Sequence, residues 1–390
     1  MLGALTLEGV TKTYGPVLAV DDVSLDVRPG EFITLLGPSG SGKTTTLRIV
    51  AGFIEPDAGR VVIDGKDITR LPSHKRNLGM VFQNYALFPH MTAGQNVAFP
   101  LAMRRQPKAL IKEKVEEALR LVHLDKHSDR YPRQLSGGQQ QRVAVARALS
   151  FNPHILLMDE PLGALDKKLR EVLQLEMMRI SRQLAVTVLY VTHDQEEALV
   201  MSNRIAIYNN GRIEQLGTSE ELYERPNSLF VADFVGQSNI FRGVLHENGG
   251  AHHVVTQSGV PIRIPDGAGQ RVGLTSGDRA AVVVRPERVW MRPEPDWSSC
   301  DAGTTDAAAE IPGRIREVIY LGSDLKFLVE IAGGDTVTVR VPAGEGSTEV
   351  PTDPGVRIGW SASDSVVVGD PQLQHEPDGA AEQAEDQTAP

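Results

Sequence analysis

The sequence predicts an α/β domain with a mostly parallel sheet, followed by a β-rich domain. Three observations carry this expectation. Over the first ~236 residues, strand-like and helix-like runs alternate, the order that builds βαβ units. A glycine-rich stretch at 37–44 stands between an apolar run and a helical one, as where a parallel strand turns into a helix. From about Gln237 onward, short β-rich runs alternate with turn residues, a spacing that suits small barrels or sandwiches.

In chain order, the first part should form strands at 32–36, 61–63, 78–82, 155–158, 186–191 and 204–208. Between the third and fourth, Leu110, Ile111, Val115, Ala118, Leu119 and Val122 recur at helical spacing. Lys112, Glu113, Lys114, Glu116 and Glu117 fall on the other face, which predicts an amphipathic helix with one buried stripe. In the second part, strands are expected at 241–246, 253–256, 281–285, 318–321, 326–331 and 336–341, with a turn at Asn248-Gly249-Gly250. Residues 292–313, rich in Pro, Ala, Asp and Thr, read as an exposed connector. Residues 370–390 carry six acidic residues and no Lys or Arg, the composition of a disordered tail.

Composition narrows the function. With 390 residues, 41% hydrophobic and 23% charged, the chain can bury large cores and should hold two or three domains. Fifty acidic against forty basic residues give a net charge of −10, a poor footprint for holding nucleic acid. The longest apolar run, 280–284, is far short of the ~20 residues a spanning helix needs. The N-terminal residues show no secretory signal, and a lone cysteine, Cys300, cannot form an internal disulfide. These features predict a soluble, cytosolic, multidomain protein.

Gly37-Pro38-Ser39-Gly40-Ser41-Gly42-Lys43-Thr44 matches the phosphate-binding loop in its required strand–loop–helix setting. Its glycines let backbone N–H groups curl around phosphate oxygens at a helix N-terminus. Lys43 should reach the β- and γ-phosphates, and the Thr44 hydroxyl should ligate Mg²⁺. Residues 155–158 lead into Asp159 and Glu160. The first suits Mg²⁺ coordination, and the second suits polarising the attacking water. Alone, such a pair is as well read as a loop cap; about 115 residues after a phosphate loop it points to phosphoryl transfer. Leu135-Ser136-Gly137-Gly138-Gln139 opens a helical run at 140–149; by itself it reads as an N-cap serine with a flexible turn.

Together, these three segments resemble the signature of ATP-binding cassette proteins, over about residues 5–236. The resemblance implies a P-loop NTPase cassette at 1–236, with a helical subdomain at about 84–150, that binds ATP with Mg²⁺. It further implies that Tyr14, in Lys12-Thr13-Tyr14-Gly15, stacks on adenine, and that Thr45 joins the phosphate loop. Gln83, in Val81-Phe82-Gln83, would touch Mg²⁺ and the transporter interface, and His193 would contact the γ-phosphate. Glu160, His193 and Gln83 are thus the implied catalytic residues, with Thr44, Gln83 and Asp159 at the metal. Ser136, Gly138 and Gln139 would face an ATP held by a partner cassette. Asp166, in Ala164-Leu165-Asp166, matches the family's next loop, although Gly163 replaces the serine often found before it.

The segments at 284–289 and 320–323 resemble the OB-like, TOBE-type domain of importer ATPases, here placed at 237–369. The segments at 82–92, 211–217 and 234–239 look closest to spermidine/putrescine importer ATPases, though relatives for iron(III), sulfate and sugars share much of this pattern. The implied assembly pairs two cassettes head to tail, as a homodimer or with another cassette, under two transmembrane permease subunits. An extracytoplasmic substrate-binding protein would deliver the cargo, and the chain would sit on the cytoplasmic face of the membrane. A soluble non-transport cassette would usually carry two cassettes or a long coiled-coil insertion, and a regulatory module would use the β-rich region for sensing.

Overall fold

In the computed structural model the described residues are 3–163, 165–248, 251–293, 307–344 and 355–370. The chain divides into two units, Met1–Glu221 and Leu222–Pro390. The first runs β1 (Leu5–Tyr14), β2 (Val17–Val27), β3 (Phe32–Leu36), α1 (Lys43–Ala51), β4 (Ala58–Ile63), β5 (Lys66–Asp67), β6 (Gly79–Val81), α2 (Ala93–Met103), α3 (Lys108–Leu121) and α4 (Gly137–Leu149). It continues with β7 (Ile155–Asp159), α5 (Lys167–Leu184), β8 (Thr187–Thr192), α6 (Gln195–Met201), β9 (Arg204–Asn209) and β10 (Arg212–Gly217).

Strands β3, β7 and β8 are buried at every position, the mark of strands covered on both faces. They lie inside a six-stranded sheet of order β10-β9-β3-β8-β7-β6, parallel except for the β9–β10 hairpin. Ile33, Leu35, Ile155, Leu157, Leu189 and Val191 pack into a core shared with α1 and the antiparallel sheet β2-β1-β4-β5. Alternate residues, among them Phe32, Leu156, Met158, Val188 and Tyr190, join a second core with α4 and α5. That two-sided burial explains why these strands read as nearly continuous apolar runs.

Helix α3 buries its expected stripe most deeply at its C-terminal end: Ala118, Leu119 and the C-cap Val122 are buried, and Leu110, Ile111 and Val115 are half-buried. Of the opposite face, Lys112, Glu113, Glu116 and Glu117 are exposed while Lys114 is half-buried.

In the second unit, β11 (Asn239–Asn248), β12 (Ala251–Thr256), β13 (Pro261–Arg263) and β14 (Arg279–Val284) pair with β20 (Ser365–Gly369) in the order β13-β12-β11-β14-β20. A second antiparallel sheet has the order β15-β19-β16-β17-β18, from β15 (Trp290–Pro293), β16 (Ala307–Tyr320), β17 (Asp324–Ile331), β18 (Thr336–Pro342) and β19 (Gly355–Ser361). Phe241, Leu245 and Val282 from one sheet share a core with Ile311, Phe327, Val329 and Trp360 from the other. Strand β17 alternates buried and half-buried residues along its length, the period of a sheet with one covered face.

Three sequence expectations change here. The connector expected at 292–313 gives up both ends to strands: β15 extends to Pro293, and β16 begins at Ala307 with Ile311 buried opposite Ile358. Asp370, read as the first residue of the acidic tail, is buried beside Arg242; the rest of the tail, 371–390, lies outside the described residues. Residues 222–236, read with the first domain, fall in the second unit. There the Arg285 guanidinium donates to the carbonyls of Tyr223 and Ala232, and stacks 4.0 Å over the Tyr223 ring.

Candidate active site

Four neighbouring parallel strands, β3, β8, β7 and β6, end on one edge of the central sheet, with Leu36 beside Thr192, Val191 beside Asp159, and Met158 beside Val81. The loop after each strand carries one of the expected groups: 37–44, His193, Asp159-Glu160 and Gln83. In open α/β sheets this carboxyl edge is where ligands bind. Residues up to 156 positions apart in sequence are thereby set around one point.

The 37–44 loop is shaped by close backbone approaches. Gly42, the N-cap of α1, has φ of 104°, and a Cβ there would lie 2.3 Å from the Ala19 carbonyl oxygen. A Cβ on Gly37 would lie 2.3 Å from the carbonyl oxygen of Tyr208. Lys43 is only 4% exposed, and its ammonium donates to the carbonyls of Gly37 (2.8 Å) and Pro38 (2.7 Å) and to Ser41 Oγ (3.3 Å). The loop thus folds around the cation while Pro38, Ser39 and Gly40 stay exposed. Burial lowers the Lys43 pKa, opposed by the charges of Glu160 and Asp159.

Thr44 Oγ1 donates to Asp159 Oδ1 at 3.2 Å, and Thr45 lies half-buried beside it. Burial raises the Asp159 pKa, partly offset by the Thr44 hydrogen bond. Glu160 takes a left-handed backbone (φ 44°), and its N–H donates to Val191 O at 3.0 Å. A non-glycine residue held there costs energy, and such positions cluster at functional sites. The turn aims the Glu160 carboxylate between two partners: Gln83 Nε2 donates to Oε2 at 3.1 Å, and His193 Nδ1 lies 3.2 Å from Oε1. The implied catalytic trio therefore forms one polar cluster, with Glu160 as the shared member: a hydrogen bond from Gln83 and a close approach of the His193 ring. Among the described residues, no group of three or more His, Cys, Asp or Glu gathers as a metal cluster. Thr44 and Asp159 still offer two adjacent oxygens, the donor type a hard divalent cation prefers.

Tyr14 ends β1 and is 46% exposed, so it is not a core aromatic. Asp57 fixes its approach by accepting from Lys12 Nζ (2.7 Å) and the Thr13 N–H (2.8 Å). The remaining expected residues sit at helix starts. Ser136 caps α4 in a capping box with Gln139: Ser136 Oγ accepts from Gln139 N–H, and Gln139 Oε1 from Ser136 N–H. Gly138 is buried against Leu169, whose methyl carbons would lie 3.1–3.2 Å from a Cβ. Asp166 caps α5 by accepting from the Leu169 N–H at 3.0 Å; Ala164 lies outside the described residues. Within one chain, the hydrogen bonds of Ser136, Gln139 and Asp166 close on their own helix ends rather than on the 37–44 loop.

One supporting residue had no sequence signal. Arg147 of α4 is 8% exposed and donates to the carbonyls of Tyr85 (2.8 Å) and Ala86 (2.7 Å), both at positive φ just beyond Gln83.

The chain matches the family described as ABC transporter over residues 20–163, and the TOBE domain over residues 282–368. The spermidine/putrescine import ATP-binding protein PotA of Nitratidesulfovibrio vulgaris is 44% identical over 373 residues, covering 94% of this chain and 97% of that protein. The protein of the same name from Thermobifida fusca is 45% identical over 380 residues, covering 94% of this chain and 93% of its own length. Among solved structures, a dimeric ATP-binding cassette in a post-hydrolysis state bound to ADP and Pi is 35% identical. It covers 55% of this chain and 98% of its own, with a TM-score of 0.50. A cassette from Clostridium perfringens, part of an ABC transporter complex, is 26% identical and covers 56% of this chain and 89% of its own, with a TM-score of 0.53.

Proposed function

The chain belongs to the ABC transporter family, and on that premise we propose that it is the ATP-hydrolysing subunit of a polyamine importer, working through separate permease subunits. The observation that carries the hydrolytic part is the convergence of Gln83 and His193 on Glu160, beside the loop that enfolds Lys43. The polyamine assignment is supported by likeness to spermidine/putrescine import proteins along both units, over 94% of the chain.

Each residue then has a task. The 37–44 backbone and Lys43 cradle the phosphates, and Tyr14 offers its exposed ring to adenine. Thr44, Asp159 and Gln83 would hold Mg²⁺, which when bound neutralises charge on the phosphate oxygens. Glu160 accepts a proton from the attacking water, with Gln83 and His193 holding its carboxylate in place. Ser136, Gly138, Gln139 and Asp166, whose bonds in the single chain are local, face the ATP of a second cassette. Two copies therefore complete two sites, and closure around ATP is the step that drives the permeases. No helix among the described residues is long and apolar enough to cross a membrane, so those permeases and a binding protein supply the path and the cargo.

The test is reconstitution. The chain is placed in liposomes with its permeases and cognate binding protein, and ATP hydrolysis is measured as substrate is added. Spermidine or putrescine should raise the rate. Stimulation by iron(III), sulfate or a sugar, with none by polyamines, overturns the substrate assignment and leaves the ATPase intact.

A further inference from the structure

His193 is held from both sides by fixed neighbours, and one guanidinium is common to that clamp and to the turn that ends at Asp166. On the strand side, Thr192 Oγ1 donates to Glu197 Oε2 at 2.8 Å, and Tyr190 OH donates to the same oxygen at 2.7 Å. Glu197 is 1% exposed. On the helix side, the Asp194 N–H donates to Thr192 Oγ1 at 3.0 Å, and Asp194 Oδ1 accepts from the Glu197 N–H at 3.2 Å, capping α6. Arg170 closes the arrangement from the first turn of α5. Its Nη1 donates to Asp194 Oδ2, its Nε lies 3.7 Å from Glu197 Oε1, and its Nη2 donates to the Leu165 carbonyl at 3.2 Å.

We propose that Arg170 is a positioning residue that ties the turn before α5 to His193, so that the seating of that turn sets how His193 meets Glu160. The physical reason lies in the planar fork. A guanidinium fixes several acceptors in one rigid geometry, which a flexible ammonium cannot do. Leu165 immediately precedes Asp166, and Asp194 immediately follows His193. When the Leu165-Asp166 segment shifts against a second copy of the chain, Nη2 follows the Leu165 carbonyl, and Nη1 carries the Asp194 carboxylate with it. The His193 ring is 57% exposed, and its contact with Glu160 is a single polar approach of 3.2 Å, so its placement depends on this backbone clamp. The inference rests on the shared-site reading above, because a second copy is what moves the turn.

A double-mutant cycle on the full chain decides the matter. Arg170→Met, His193→Ala and the double variant are compared by single-turnover hydrolysis, which reads rates far below the parent's. Displacing a catalytic group by ~1 Å costs up to about 100-fold, so Arg170→Met should lower kcat by about 10- to 100-fold with KM for ATP changed by less than about twofold. In the His193→Ala background the same substitution should change the rate by less than about twofold, because no imidazole remains to be placed. Arg170→Lys should fall between parent and Met, keeping the charge but not the fork. If Arg170→Met leaves kcat at the parent value, or costs its full factor with His193 already removed, the proposal is overturned. Should Arg170→Met fail to fold, Arg170→Lys runs through the same cycle with the same two outcomes. ATP-driven dimerisation of Glu160→Gln is measured separately: if that dimer is absent, the shared-site reading fails, whichever way the cycle turns.

Discussion

Glu160→Gln isolates the proposed base. The substitution keeps the side chain's length, the left-handed turn and the Thr44–Asp159 contact, because none of these depends on a second carboxylate oxygen. What changes is the cluster itself. The carboxylate accepts from Gln83 Nε2 at 3.1 Å and sits 3.2 Å from His193 Nδ1; an amide has one acceptor oxygen, so at most one of those contacts still ends on an acceptor. A lost hydrogen bond is worth about 1 kcal/mol, or roughly fivefold in rate. Loss of general-base assistance is larger, ~10²–10⁴ in rate, or about 3–5 kcal/mol. The two explanations are therefore separable by size. Phosphate release from the purified chain should fall at least about 100-fold, while nucleotide binding persists because Lys43 and its loop are untouched. With hydrolysis blocked, ATP and Mg²⁺ should also move the variant from monomer to dimer on a sizing column. A rate within about fivefold of the parent would refute the assignment of Glu160 as base, since rearranged hydrogen bonding alone explains that much.

Ser136→Arg should bind ATP yet fail to form that dimer in the Glu160→Gln background, because bulk and charge replace the exposed cap at the start of α4; normal dimerisation sinks the shared-site reading. The pair Glu31–Arg204, with Nε–Oε1 at 2.6 Å and Nη2–Oε2 at 2.9 Å, makes a pH-dependent prediction. Burial works to raise the Glu31 pKa, but the hydrogen bonds from Arg204 and the Arg28 N–H hold it below the ordinary value. A carboxyl lowered on folding contributes stability that is complete above the unfolded value and is lost as pH falls through the folded one. Glu31→Gln should therefore cost about 2 kcal/mol in urea melts at pH 7, and the gap from the parent should close as the pH drops below the ordinary carboxylate range. A gap that stays constant with pH counts against the pair.

The central sheet was readable because β3, β7 and β8 are covered on both faces, so each appears as a nearly continuous apolar run bounded by turn residues. The antiparallel sheet was harder to see. Leu5 and Leu7 begin an alternation in β1, but its pairing with β2 shifts register after Leu7, again after Val10 and after Lys12. Gly9 adopts φ of 57° within the first shift. Each irregularity resets which residues face inward, so the period of two never runs long enough to register. The connector around 292–313 misled for a different reason. Its Ala, Pro and Thr residues have turn-like composition, yet β16 extends through Pro312 against β19, where Ile311 supplies the only large buried anchor of its first six residues. Pairing partners 40 or more residues away decide such a strand, and local composition does not contain them.

The site was legible where its chemistry lies in consecutive residues. The phosphate loop, the Asp159-Glu160 pair and the Ser136 cap each state their geometry within a few positions, because a glycine with a required φ or a strand-end carboxylate is a local device. Tyr14, Gln83, His193 and Asp166 were reached only through family resemblance, since a lone aromatic, amide, imidazole or cap has many structural uses. Arg147 and Arg170 escaped both routes. Each lies on a helix that begins at a residue expected to face a partner, α4 after Ser136 and α5 after Asp166. Each reaches back to the neighbourhood of a residue at the reacting centre, Arg147 to the carbonyls beyond Gln83 and Arg170 to Asp194 beyond His193. A helical arginine reads by default as a solvated surface charge. What distinguishes these two is the acceptors they find, and most of those are backbone carbonyls or carboxylates contributed by other segments. The residues proposed for the chemistry can thus be named from motifs or from family resemblance, whereas the arginines that tie a helix to the segments beside it become visible only when the fold brings their acceptors within reach.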